Sequence, residues 1–511
     1  MAVAPRPTRP DKRREPTRQS RDQTREPTRQ TREPAHPAEP PKPKRRTPPG
    51  GAGMTPGARL EAAITLLDEI FVSPAAADDI VGSYFRRHRF AGAKDRGAIS
   101  EHIYAVLRHR AALDWWIMRI GKGIVAGVGR IRLFAALLLL EGWTVDEVMD
   151  ACDGDRFRPP PLRKDERFVV DGLAGHTVEH PEMPDWVRYN YPDWLDGSLK
   201  ALFGFKLPGE MAALNGPAAL DLRANALKGT RAEALAALTR EGVTAEPTPH
   251  SPLGLRVRVR IPLATLEVFK SGAVEVQDEA SQLAAILADA RPGMRVVDFC
   301  AGAGGKTLAL AAAMGNRGQL VACDISEKRL ERSGQRLRRA GVSNVERRAL
   351  TTERDKWVKR HAETYDRVFV DAPCTGTGTW RRNPDSKWRL KPTDVTELTE
   401  LQSRILESAS RLVKPGGRLV YATCSLLPAE NEERIAAFLA AHPDFTLLPV
   451  QEVWRDVIGT PCPVAEGEML RLTPMRHGTD GFFAAILQKA EAPQIEPQQI
   501  EQSPQTSAEP A

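Results

Sequence analysis

From Asp278 to Leu487 helical and strand-like stretches alternate, and this alternation limits the fold more than any other feature of the chain. Helical periodicity over Ala280–Ala290 leads to a strand at Arg295–Phe299, then a helix at Lys306–Met314. A strand at Gln319–Asp324 precedes a helix at Glu327–Ala340, and Arg367–Val370 is a further strand. A helix at Asp394–Leu412 leads to a strand at Arg418–Ala422, a helix at Ala429–Ala441 follows, and Phe482–Leu487 closes the series. Such alternation predicts an α/β fold, a Rossmann-like doubly wound parallel sheet with helices on both faces. Ligands and chemistry collect at the carboxyl ends of the strands in sheets of this kind. The residues that matter most are therefore those just after each strand.

Three such loops carry reactive or ligand-binding residue types. The first is Val296-Val297-Asp298-Phe299-Cys300-Ala301-Gly302-Ala303-Gly304-Gly305-Lys306-Thr307. Its glycines allow tight turns and close approach of a ligand to backbone N–H groups at a helix start. A phosphate-binding NTPase loop needs glycine where Cys300 stands, and a dinucleotide fingerprint needs glycine where Thr307 stands. A nucleoside cofactor without phosphates is the third reading, and Asp324, ending the next strand, is placed to meet ribose hydroxyls. The second loop, Val370-Asp371-Ala372-Pro373-Cys374, is followed by Trp380-Arg381-Arg382-Asn383-Pro384-Asp385-Ser386-Lys387-Trp388. Asp371 reads as a magnesium ligand of an NTPase, a role for which the neighbouring Pro373 and Cys374 are unusual. The interleaved cations and aromatics suit phosphates and stacked bases or, equally, a core. The third loop, Thr423-Cys424-Ser425, ends a buried strand that follows Lys414-Pro415-Gly416-Gly417. Cys424 is read as a nucleophile; Cys152, Cys323 and Cys462 are read as inert core thiols.

Upstream of this domain the chain divides into further parts, as its 511 residues require. Residues 1–56 repeat Pro-Thr-Arg and Arg-Glu-Pro units and read as a disordered basic tail, either an RNA-attracting arm or a solvated extension. Patterned sequence begins just after Met54, a second candidate start. Residues 57–155 read as a helical bundle with a basic knot at Arg86–Arg89, and 156–185 as a Pro/Arg/Asp-rich linker. Residues 186–277 mix helix and strand as a small α+β module, in which Arg256, Arg258 and Arg260 alternate along a strand. Residues 278–489 are the α/β domain, and 490–511 a second disordered tail. Of 73 Lys+Arg and 66 Asp+Glu, the first 50 residues hold 14 and 6, so the rest carries 59 and 60. The net charge of +7 thus belongs to the tail and does not by itself make the folded part a nucleic-acid binder. The longest apolar run, Leu133–Leu140, is far short of the ~18 residues of a membrane span. There is no signal-peptide core, disulfide framework or metal-ligand spacing, so the reading is cytoplasmic, with no membrane and no metal. Oligomeric state is not legible; monomer is the default.

Taken together, Asp298–Thr307, Asp371-Ala372-Pro373-Cys374, Arg381-Arg382-Asn383-Pro384-Asp385 and Thr423-Cys424-Ser425 resemble the Sun/Fmu (RsmB-like) family of RNA cytosine-C5 methyltransferases. Val276-Gln277-Asp278 and Gly481-Phe482-Phe483 support the resemblance, which covers roughly residues 58–489. It implies a NusB-like helical domain and an RNA-recognition-like module, with Arg223 and Asn225 on its matching strand as RNA contacts beside Arg381, Arg382 and Lys387. It implies S-adenosyl-L-methionine contacts from Cys300, Ala301, Gly302, Ala303, Gly304, Gly305, Lys306, Asp324 and Asp371. It makes Cys424 the nucleophile, Cys374 the residue that releases product, and Asp371 the group that stabilises protonation of the pyrimidine. The partner it implies is RNA, ribosomal and of the small subunit. The family's carboxylate near the adenine falls where this chain has Ala349 or Leu350, so no adenine contact is assigned. The alternatives are an RNA-associated P-loop NTPase, a DNA cytosine methyltransferase using Cys374, and a catalytically silent RNA-binding assembly factor.

Overall fold

The computed structural model describes residues 53–122, 128–259 and 261–491, and the chain from Gly53 onward forms one connected unit. Most of the two tails expected at 1–56 and 490–511 lies outside the described residues, as does Arg260. The first helix, Pro56–Val72, starts where proline is best tolerated, with Thr55 as cap accepting from Ala58 N–H. Helices Ala77–Arg87, Ala93–Arg108, Arg110–Gly121 and Val128–Leu139 complete a bundle whose core includes Leu60, Ile103, Leu113 and Phe134. The expected linker is in part a helix of this bundle. Lys164–Leu173 places Val169, Val170 and Leu173 in the same core, and Arg163 N–H is capped by Glu166 at 3.0 Å. Its Arg and Asp residues, which read as linker composition, form the wet face of an amphipathic helix; Arg167 and Asp171 pair across one turn.

After helices Asp196–Phe203 and Leu207–Asn215 comes the small module. Its strands β1 (Leu220–Ala224), β2 (Glu246–Pro247), β3 (Gly254–Val257) and β4 (Val274–Val276) pair antiparallel in the order β2-β3-β1-β4. Helix Arg231–Arg240 covers the sheet through Ala234 and Leu238.

The α/β domain holds β5 (Arg295–Asp298), β6 (Gln319–Asp324), β7 (Val345–Ala349), β8 (Tyr365–Asp371), β9 (Val413–Thr423), β10 (Phe445–Leu448), β11 (Leu470–Leu472) and β12 (Phe482–Lys489). Their order is β10-β12-β9-β8-β5-β6-β7, with β11 beside β12. Strands β5 to β9 are parallel, whereas β12 runs antiparallel to β9, β10 and β11, so the doubly wound sheet is mixed at one edge. The chain turns from one half of the sheet to the other between β5 and β8, the crevice where such folds bind ligands. The Lys414–Gly417 turn lies inside β9 as an irregularity: Gly416 sits at φ 69° and the pairing with β8 shifts between Tyr365 and Arg367. No helix among the described residues is long and apolar enough to cross a membrane.

Candidate active site

The carboxyl ends of β5, β6, β8 and β9 converge on a cleft of about 580 Å³. Cys300, Ala301, Gly302, Ala303, Gly305 and Lys306 form its glycine-rich wall. Gly304 faces the other way, toward the helix Glu327–Ala340. It holds the left-handed conformation (φ 83°), and a side chain there would meet Ser333 Cβ at 2.9 Å. Gly302 is different, since nothing lies within 4 Å of the position its Cβ would take. Asp324 anchors the loop by accepting from Gly302 N–H at 2.9 Å and from Ser326 N–H at 2.7 Å. Beneath the loop Asp298 is fully buried; Thr307 donates to its Oδ2 at 2.6 Å and its Oδ1 has no partner. Burial pushes this carboxyl up to about 7.

Across the cleft Lys306 Nζ donates to Asp371 Oδ2 at 2.6 Å and lies 5.2 Å from the Phe482 ring. Burial pulls the ammonium down, but the charge and hydrogen bond of Asp371 outweigh it, and Lys306 is held above its usual range. Cys374 and Cys424 line the same cleft, both half-buried, with their sulfurs 3.5 Å apart. The backbone registers them: Ala372 N–H donates to Ala422 O and Gly378 N–H to Cys424 O, both at 2.9 Å. Gly378 also packs on Gly481 so closely that a Cβ on it would lie 2.1 Å from the Gly481 carbonyl. Only two glycines permit that approach, which gives the Gly481-Phe482 pair its physical meaning: one residue seats the Cys374 loop, the next stacks on Lys306.

All five side chains expected to touch RNA are spent inside the protein. Arg223 is buried, donates to Gln277 and to Gly305 O, and burial pulls it down to about 10. Asn225 donates to Gly272 O at 2.8 Å and Ala340 O at 2.9 Å, tying the module to the α/β domain. Arg381 and Arg382 both pair with Asp278 and Asp480. Lys387 is fully buried against Arg108 O, Asn190 O and Asn215 Oδ1, which joins three parts of the chain. Arg256 likewise is buried on Asp221 at 2.7 Å, and Arg258 lies beyond the strand beside Glu246. Cations interleaved with tryptophans are as well suited to an interdomain seam as to nucleic acid, and here they form the seam. Arg381→Ala is therefore expected to cost about 1.5–3 kcal/mol of stability, since it removes charge-assisted hydrogen bonds while Arg382 still pairs with both carboxylates. Thermal and denaturant unfolding would register that loss, while the salt dependence of RNA binding stays at its wild-type slope.

Gln277, at the end of the small module and within the Val276-Gln277-Asp278 stretch, lines the cleft, as does Ser281, which no motif marks. Leu350 stands where the expected carboxylate is missing, and the carboxylate that does line this end is Glu353, ion-paired with Arg404 at 2.9 Å. Its position four residues past the edge strand β7 was the available clue. The other is Glu430, an acid in the otherwise apolar run Leu426-Leu427-Pro428-Ala429, buried beneath both cysteine loops.

Comparison with known proteins agrees with this arrangement. Residues 285–488 match the family described as 16S rRNA methyltransferase RsmB/F, and residues 191–264 match the ferredoxin-like domain of RsmF/B-like methyltransferases. The probable ribosomal RNA small subunit methyltransferase B of Synechocystis sp. is 37% identical over 415 residues, 78% of this chain and 92% of that protein. The ribosomal RNA small subunit methyltransferase B of Klebsiella pneumoniae is 31% identical over 410 residues, 78% of this chain and 90% of its own. Among solved structures, that of PH0851 superposes with a TM-score of 0.69 at 27% identity, covering 85% of this chain and 99% of that one. A methyltransferase homologue from Pyrococcus horikoshii superposes at 0.52 and 29% identity, covering 61% and 100%. Identity at this level over 78% of this chain and 92% of that relative, together with the two family matches, means that the chain belongs to the RsmB/F family of 16S rRNA methyltransferases.

Proposed function

We propose that this S-adenosylmethionine-dependent rRNA methyltransferase acts on carbon 5 of a cytosine in small-subunit ribosomal RNA, with Cys424 bonding transiently to carbon 6. The observation that carries this reading is the pair of sulfurs 3.5 Å apart in the same cleft as the Lys306–Asp371 ion pair. A methyltransferase for an amine or hydroxyl needs no thiol at its target, because those atoms already hold a nucleophilic lone pair. Carbon 5 of cytosine does not, and must be activated.

The cofactor supplies an electrophilic methyl group on a sulfonium when bound. The cleft fits it: Gly302 leaves space over the loop, Asp324 and Asp371 line the same cleft as Lys306, and beneath the loop the buried Asp298 keeps its Oδ1 without a partner. The backbone from Cys300 to Lys306 would hold the nucleoside, Asp324 would meet the ribose, and Asp371 would face the transfer region. Cys424, as thiolate, adds its electron pair to carbon 6, and the displaced ring electrons make carbon 5 nucleophilic. Asp371, fixed by Lys306, stabilises the proton on ring nitrogen 3. After methylation the hydrogen left on carbon 5 departs as a proton to a water that Cys374 holds. The electron pair restores the carbon 5–carbon 6 double bond and expels Cys424 as thiolate. The target base leaves its stack to enter the cleft, which favours unpaired RNA. With the expected arginines buried, contacts to phosphate fall to exposed cations such as Arg86, Arg87 and Arg89 at the end of helix Ala77–Arg87.

Bisulfite sequencing of ribosomal RNA from cells with and without the gene tests the reading. One cytosine of the small-subunit RNA should resist conversion only when the protein is present. Identical conversion in both samples would overturn the assignment to carbon 5.

A further inference from the structure

Glu430 ends the turn Pro428–Glu430 and is fully buried, yet among the described residues it has no ion-pair partner. Burying a lone carboxylate costs several kcal/mol unless neutral donors satisfy it. Here four do. Oε1 accepts from Thr375 N–H at 2.9 Å and from Gln402 Nε2 at 3.0 Å, and Oε2 accepts from the hydroxyls of Thr375 and Ser425. Thr375 follows Cys374 directly, and Ser425 follows Cys424 directly. The carboxylate thus grips the residue after each cysteine. Its own backbone carbonyl accepts from Tyr421 OH at 2.7 Å, and Gln402 also donates to Pro373 O at 2.9 Å.

The grip is uneven. Thr375 supplies two of the four donors, so the negative charge is tied chiefly to the Cys374 loop. Among the described residues Lys306 is the only ammonium in the cleft wall, and it gains first from Asp371 and then from the charge of Cys424. A cation therefore stands toward one sulfur and an anion toward the other. The hydrogen bond to Cys424 and burial hold the Cys374 thiol well above its usual range, and the charges of Cys424 and Glu430 add to this. Among the described residues, the other charged or titratable groups of the cleft wall are Cys300, Asp324, Arg329, Arg336, Glu353 and Asp371, and beneath it lie Tyr421 in β9 and Arg434, whose Nε donates to Ala429 O at 2.8 Å.

We propose that Glu430 is a positioning residue that assigns the two cysteines their parts, by clamping their loops side by side and keeping the proton they share on Cys374. One proton then serves two sulfurs, and the electron pair that attacks carbon 6 belongs to Cys424. The proposal rests on the covalent reading for what Cys424 attacks, but the division between the sulfurs exists in the free enzyme and is measured there.

The test is competitive alkylation of the full-length protein by limiting iodoacetamide, with each cysteine's peptide quantified by mass spectrometry. In the wild type, Cys424 should react at least about tenfold faster than Cys374 at neutral pH, the ratio one pK unit gives. Glu430→Gln keeps the size but loses the charge, and should bring the two rates within about threefold while lowering kcat more than it raises KM. Glu430→Asp, which keeps the charge, should restore most of the preference. An unchanged alkylation ratio in Glu430→Gln would overturn the proposal, because a purely structural clamp lowers activity without redistributing the proton. Should that variant not fold, equal rates in the wild type overturn it just as directly. Loss of the covalent reading shows elsewhere, as normal turnover by an enzyme lacking Cys424.

Discussion

Cys424→Ala should abolish methyl transfer, with kcat falling on the order of 10⁴-fold or more, as when other covalent enzymes lose their nucleophile. Binding of S-adenosylmethionine, measured by titration calorimetry, should stay close to the wild-type value. The separation is physical. The wall proposed to hold the cofactor is built by Cys300–Lys306 and held by Asp324, whereas Cys424 follows a different strand, β9. Replacing one half-buried sulfur with a methyl group leaves the backbone bonds Ala372–Ala422 and Gly378–Cys424 in place, because both use main-chain atoms. A variant that still turns over would remove covalent catalysis from consideration.

Cys374→Ala should behave in the opposite way, by letting the RNA bond form and slowing its release. Incubated with substrate RNA and cofactor, it should accumulate a protein–RNA species that survives denaturing gel electrophoresis, while multiple-turnover rate falls by about 10²–10⁴-fold, the range of lost acid–base assistance, because the proton-accepting water is no longer held. The double variant Cys374→Ala/Cys424→Ala should trap nothing, since the sulfur that bonds to carbon 6 is gone. If Cys374 were instead the nucleophile, as in the DNA cytosine enzymes, the adduct would appear in the Cys424 variant. The 3.5 Å separation makes this a sharp comparison, because either sulfur reaches the same space.

Much of the site was legible because strand ends in a doubly wound sheet converge by topology alone. Once β5, β6, β8 and β9 were recognised, Lys306, Asp324, Asp371, Cys374 and Cys424 had to share one edge of the sheet, and they do. The RNA contacts were not legible for a complementary reason. Arg381 and Lys387 look the same on paper whether they face phosphate or a buried acid, and only the approach of Asp278, Asp480, Asn190 and Asn215 from distant parts of the chain decides. The linker was misjudged in the same manner, since the charges of Arg163–Asp171 concealed Val169, Val170 and Leu173 behind them.

The sequence by itself determined which chemistry is available. Hydrophobic periodicity set the order of helices and strands, and the residues after each strand set the reactive groups, since both are local properties of the chain. Tertiary structure decided which of those groups face solvent, which face one another, and what lies beneath them. Glu430 shows the difference: five residues past Ser425 it is an ordinary acid, and only the packing of two loops that are fifty residues apart puts four donors around it. Burial and long-range pairing are properties of the assembled chain, and they turn two cysteines into a matched pair.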